Sequence, residues 1–127
     1  MSTLNVQTIT NGTDTIDVTD NVKGTARAWV NFNGQGTVSI RDSFNVSSVT
    51  DNGVGDYTVN LTNSMTDTNY CVMTSVSQSV VVTQTSQVSS EFSPTLRTTS
   101  SCRIRFGNSE SNANADADAL NVAVFGS

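Results

Sequence analysis

The chain has 127 residues and a formal net charge of -5, enough for one domain with a single core plus a short extra segment. Six Lys and Arg scattered along an acidic chain argue against nucleic acid as a partner, because phosphate binding needs clustered cations. No run nears the roughly 20 apolar residues of a membrane-spanning helix and no signal peptide opens the chain, so neither membrane insertion nor secretion is expected.

Val far outnumbers Leu, and Ser, Thr and Asn make up roughly two-fifths of the residues, a blend that suits pleated strands and turns. Lys occurs once, at Lys23, and Glu only at Glu91 and Glu110, so the long-chain helix formers are almost missing. The expected fold is all-β.

In residues 1–24, period-two alternation marks two short strands, Leu4–Val6 and Thr15–Val18, around a turn at Thr10–Thr13 in which Gly12 supplies a positive φ. A hairpin of this size is marginal alone, so this stretch reads as an attachment or trimerisation segment. From Ala26 the signal strengthens. Ala28, Val30 and Phe32 share one face and Arg27, Trp29 and Asn31 the other. Asn33-Gly34-Gln35-Gly36 turns the chain, and Val38 and Ile40 face inward on the returning strand. Phe44, Val46 and Val49 continue the apolar set. Asp51–Asp56 is a second turn, followed by the clearest strand, in which Tyr57, Val59 and Leu61 alternate with Thr58 and Asn60.

Asn63–Thr68 connects to a strand over Tyr70–Val76. The run Val80, Val81 and Val82 suits a strand covered on both faces, inside a sandwich or at a subunit contact. Pro94 marks an edge or a connection. Cys102, Ile104 and Phe106 alternate with Arg103 and Arg105, giving a strand with one basic face. Gly107–Ala117 is polar and reads as an exposed loop, and Leu120, Val122 and Val124 form a closing strand. About eight strands after residue 24, at this spacing, predict an antiparallel β-sandwich of jelly-roll-like type over 25–127.

Chemistry is sparse. No His exists, which removes His-based nucleophile activation, acid–base catalysis and metal ligation. Cys71 and Cys102 either pair or remain thiols; cytosolic synthesis favours free thiols, and without His they make no protein-only zinc site. A phosphate loop is lacking. The acid pairs Asp51/Asp56 and Asp116/Asp118 are the nearest approach to a glycosidase dyad, but both sit in turn-rich segments where Asp bonds its own backbone. The oxygen-rich Asp51–Asp56 segment lacks the twelve-residue calcium loop and its closing Glu. No enzyme, cofactor or metal is expected, and the sequons at Asn11, Asn45 and Asn60 carry no meaning without a secretory route. Trp29 is the one indole. It serves either as a platform for a sugar ring or, the reading favoured here, as a packing residue at a subunit interface.

The stretch Thr25–Tyr70, with Thr25-Ala26-Arg27-Ala28-Trp29-Val30-Asn31-Phe32-Asn33-Gly34, Phe44-Asn45-Val46-Ser47-Ser48, Asp51-Asn52-Gly53, Gly55-Asp56-Tyr57-Thr58-Val59-Asn60 and Asn69-Tyr70, resembles a segment recurring near the C-termini of bacteriophage tail fibre proteins, those of cyanobacterial phages among them. Met1–Val6 looks like the start of such proteins and Val122–Phe125 is similar to their ends, while 77–101 is the least similar part. The resemblance implies a virion surface protein, assembled in the host cytoplasm. It would be a short homotrimeric tail fibre or fibre tip that meets the host surface, touches other tail or capsid proteins, and contacts host-surface polysaccharide without catalysis. The alternative is a capsid or tail decoration protein that cements the particle. Fibres of this kind commonly carry a longer segment between start and terminal module, which is lacking here.

A trimer has a physical argument too. With 35% hydrophobic residues, burial between subunits would help offset the entropy of folding. Trp29, Val80, Val81, Val82, Leu4 and Val6 are the candidate interface. Asn63, Asp67, Asn108, Asn112, Asn114 and Asp116 are the candidate surface-recognition residues, offering donors and acceptors to sugar hydroxyls from loops.

Overall fold

The computed structural model of the chain describes residues 1–18, 24–77, 87–108 and 113–127. The fold is all-β, with the strands in two antiparallel sheets and one separate hairpin. The strands are β1 (Thr8–Thr10), β2 (Thr15–Asp17), β3 (Ala26–Asn33), β4 (Ser39–Phe44), β5 (Val46–Gly53), β6 (Asp56–Leu61), β7 (Cys71–Ser77), β8 (Gln87–Glu91), β9 (Ser101–Asn108), β10 (Ala113–Asn114) and β11 (Ala119–Phe125).

The hairpin β1–β2 pairs Thr8 with Asp17 and Thr10 with Thr15. Its first strand lies C-terminal to the expected Leu4–Val6, because the turn fixes the register. Asn11 Oδ1 accepts the backbone N–H groups of Thr13 and Asp14, 3.0 and 2.8 Å away, so the chain folds back after Thr10. Leu4 is left 86% exposed.

The sandwich consists of sheet β4-β3-β11-β7 facing sheet β5-β6-β9, with β8 and β10 both paired to β9. Alternation supplies the core. Ala28, Val30 and Phe32 of β3 and Leu120, Val122 and Val124 of β11 meet Tyr57, Val59 and Leu61 of β6 and Cys102, Ile104 and Phe106 of β9. The Phe32 and Tyr57 rings meet edge to face with centroids 5.2 Å apart, a favoured aromatic geometry. Met65 and Tyr70 close one end of the core. The Pro94–Leu96 segment is a single 3-10 turn, as suits a connection.

Two apolar expectations on β4 fail for a definite reason. Val38 packs on the core, but Ile40, opposite Phe32, stays 38% exposed because β4 is an edge strand. Arg41 is an extra residue between the Asn31–Asp42 and Phe32–Ile40 pairs. This bulge resets the alternation, and Phe44 lands opposite Trp29 on the outer face, 54% exposed. The chain changes sheets at Asn45, which has a positive φ of 55°. Its amide donates to the carbonyls of Arg27 and Asn63 and accepts the N–H of Asn63 at 2.7 Å.

The expected loop 107–117 is also corrected in its described part. Gly107 and Asn108 belong to β9, Ala113–Asn114 forms β10, and Ala117 is buried. Asp116 accepts the Gly55 N–H at 2.8 Å and the Tyr57 hydroxyl at 2.7 Å. That hydroxyl also lies 2.9 Å from the Gly34 carbonyl. Gly34 is required here, because a Cβ would stand 2.4 Å from the Tyr57 hydroxyl. Gly55 is required twice over: its φ is +62° and a Cβ would sit 2.3 Å from the Phe106 carbonyl oxygen. The turn and the segment before β11 are thereby locked together.

Candidate functional site

The outer faces of the two sheets differ in chemistry. On sheet β4-β3-β11-β7, register places Phe44, Trp29, Ala123 and Met73 in one row across all four strands. Three of these side chains are large, apolar and exposed: Phe44 by 54%, Trp29 by 38% and Met73 by 60%. Ala123 between them is small, so the row dips into a slot of about 440 Å³ walled by Trp29 and Met73, with Phe125 beside them.

The adjoining row is polar: Asp42, Asn31, Asn121 and Ser75. Asn31 Nδ2 donates to Asn121 Oδ1 at 2.5 Å, and Asn121 Nδ2 donates to Ser75 Oγ at 3.2 Å. Arg41 donates to Asn31 Oδ1 at 3.4 Å and to the Asp118 carbonyl. The amides are thus oriented before any ligand arrives, which lowers the entropic cost of binding. Among the described residues no ionisable side chain lines the slot.

The opposite sheet presents hydroxyls, amides and the Arg103–Asp56 ion pair. Asn60 donates to Ser48 Oγ and Thr50 Oγ1 at 3.0 and 2.9 Å, and Asn52 donates to Thr58 Oγ1 at 2.8 Å. Arg103 grips Asp56 through two nitrogens, at 2.7 and 2.5 Å. This contact holds the Asp56 carboxyl below its usual range. Arg103 also lies over the Phe92 ring, 4.8 Å from its centroid, a cation–π contact. The expected basic face of β9 is therefore engaged in the sheet's own bonding.

Of the carboxylates weighed as acid pairs, Asp51, Asp56 and Asp116 are likewise occupied. Asp51 accepts the Gly53 N–H at 2.9 Å, an Asx turn. Asp56 is held by Arg103, and Asp116 by Tyr57 and Gly55. Burial, with the Asp116 carboxylate second, pushes the Tyr57 hydroxyl well above its ordinary pKa. Burial does the same for Tyr70, whose hydroxyl reaches the carbonyls of Thr98 and Ser101. Cys102 is buried and its thiol is pushed up to about 12, while Cys71 is exposed; both are free. Among the described residues no three His, Cys, Asp or Glu side chains gather in a group able to hold a metal ion, and no helix is long and apolar enough to cross a membrane.

Of the candidate interface residues, Trp29 is on the slot, Leu4 is exposed and Val6 half-buried in the N-terminal segment. Val80, Val81 and Val82 lie outside the described residues, as does Asn112. The recognition candidates do not form one patch. Exposed Asn63 and Asp67 belong to the connection whose Met65 N–H bonds the Thr99 carbonyl, beside the start of β9. Asn108 and Asn114 sit at its other end, where Asn114 pairs with Gly107. Eight residues of β9 separate the two groups by roughly 25 Å. Asp67 accepts the Asn69 N–H at 2.7 Å, and Asp116 is half-buried and bonded as described. Phe44, Met73, Asn121 and Ser75 were missed as site residues. Alternation alone puts Asn121 and Ala123 on the outer face of their strand, but which strand lies beside which is a long-range fact.

Comparison with known proteins finds no matching family model, no matching curated protein and no matching solved structure.

Proposed function

We propose that the chain is a structural protein of a bacteriophage virion, a short trimeric tail fibre or fibre tip that touches host-surface polysaccharide without catalysis. The observation that carries this reading is the Trp29 face: an exposed aromatic slot beside a pre-bonded amide row, on a rigid sheet rather than on loops. The structural engagement of Asp51, Asp56 and Asp116 supports a role in contact rather than in catalysis. The resemblance over Thr25–Tyr70 supports reading this as a virion surface.

The pairing of the first sandwich strand, β3, with the last, β11, supports a jelly-roll-like reading of the sandwich. Residues 25–127 form the displayed module, and residues 1–24 are the attachment or trimerisation segment. Exposed Leu4 and Ile9 supply apolar surface for the contact between copies, and three copies multiply weak sugar contacts through avidity.

The test is adsorption. Purified protein is expected to bind host cells saturably and to compete with phage for them, with light scattering giving three times the chain mass. Protein that fails to bind cells, while its loss weakens the particle, would overturn adhesion in favour of a decoration or cement role.

A further inference from the structure

Resting on the adhesion reading above, we infer that the Trp29 slot recognises an acetamido sugar, the N-acetylated hexosamine unit of an envelope polysaccharide. The two sides of the slot carry the two chemistries that such a unit combines. Trp29 stands on β3 and Met73 on β7, with β11 between them, so their strands are roughly 10 Å apart. That spacing takes one flat ring lying along the indole. The slot's volume of about 440 Å³ lies in the small-ligand range of roughly 300–1,000 Å³. An indole face stacks on the C–H side of a pyranose, as it does on other apolar surfaces.

Beside the indole run the amides. Asn121 Oδ1 has a second lone pair, and Asn31 Nδ2 a second hydrogen, beyond the bond they share. A secondary amide offers one N–H and one carbonyl to match them. Its methyl group then needs apolar contact, which Met73 and Phe125 supply. In an unsubstituted hexose, a hydroxyl pressed against those side chains would lose water without finding a partner. Among the described residues the lining is uncharged, and Arg41 beyond it is already engaged by Asn31 Oδ1 and the Asp118 carbonyl, which disfavours uronates and sulfated sugars.

A second copy of the chain fits this face less well. Four strands of six to eight residues span roughly 14 by 23 Å, or about 330 Å². A stable protein interface takes about 800 Å² from each partner. The face suits one or two sugar units, not a subunit.

Trp29 is the chain's only tryptophan, so its fluorescence reports the slot directly. The full chain is titrated with N-acetylglucosamine, N-acetylgalactosamine and glucose. A saturable change is expected with at least one acetamido sugar, with glucose weaker by about ten-fold or more. Asn121→Ala should weaken the acetamido sugar about ten-fold and leave glucose unchanged, with the circular dichroism spectrum intact. Met73→Ala, at an exposed position, should narrow the preference without unfolding. An equal response to glucose overturns the inference and leaves adhesion standing. Silence towards all three sugars, in protein that still binds host cells, overturns the slot as the site. Silence together with failed cell binding removes both readings. Trp29 emission that changes with protein concentration, not with sugar, assigns the face to a second copy and overturns the inference.

Discussion

Replacing Tyr57 with Phe isolates one hydroxyl in the most constrained part of the fold. The ring is fully buried and packs edge to face on Phe32, and Phe keeps that packing. What goes is the hydroxyl 2.7 Å from the Asp116 carboxylate and 2.9 Å from the Gly34 carbonyl. A hydrogen bond to a charged group contributes about 2 kcal/mol, which in a domain of this size lowers Tm by roughly 8 °C. A second signature appears in alkali. The folded state keeps this hydroxyl protonated well above its unfolded pKa of about 10. Its contribution is therefore fully present below pH 10 and is lost as pH rises towards the folded value, by about 1.4 kcal/mol per pH unit. Urea unfolding followed by circular dichroism at pH 7 and across pH 10–12 measures both effects. Tyr57→Phe should be less stable at neutral pH and less steeply destabilised by alkali than the parent. A neutral-pH loss under about 0.5 kcal/mol, or an unchanged alkaline slope, would refute the reasoning.

Gly55→Ala combines a left-handed φ with a Cβ 2.3 Å from backbone oxygen, and should cost at least about 2 kcal/mol, read from the urea midpoint; an unmoved midpoint contradicts it. Arg103→Ala should destabilise at neutral pH and do so progressively less as pH falls. The Asp56 carboxyl, held low by Arg103, contributes above its ordinary pKa and loses that contribution when it protonates; a loss independent of pH refutes the pairing. A thiol reagent should titrate Cys71 in the native protein and Cys102 only after denaturation, and two fast thiols in the native state would show that Cys102 is not buried.

Much of the core was legible because strict alternation in 28–32, 57–61, 102–106 and 120–124 leaves each strand one way to bury its apolar side. The failures all sit where another force sets the geometry. The Asn11 side chain fixes the first hairpin and strands Leu4–Val6 outside it. One bulge residue, Arg41, reverses the face on which Phe44 appears. In 107–117 a polar composition hides Ala117 in the core and Asp116 in a buried-edge hydrogen bond. The site was half visible: Trp29 stands out as the sole indole, but its row partners Phe44, Ala123 and Met73 come from three other strands. Strand order depends on pairing between residues up to 99 positions apart, Ala26 with Phe125, which short-range periodicity does not encode.

The antiparallel pairing of β3 with β11 sets Ala26 beside Phe125, so the polypeptide enters and leaves the sandwich at neighbouring points. Tension applied between those two residues peels the rungs apart one at a time, the weak direction for such a pair. Tension between residues preceding Ala26 and a load held at Trp29 takes another path, running through only the first few residues of β3. In the proposed fibre, a load on that path would leave the rest of the sandwich almost free of strain.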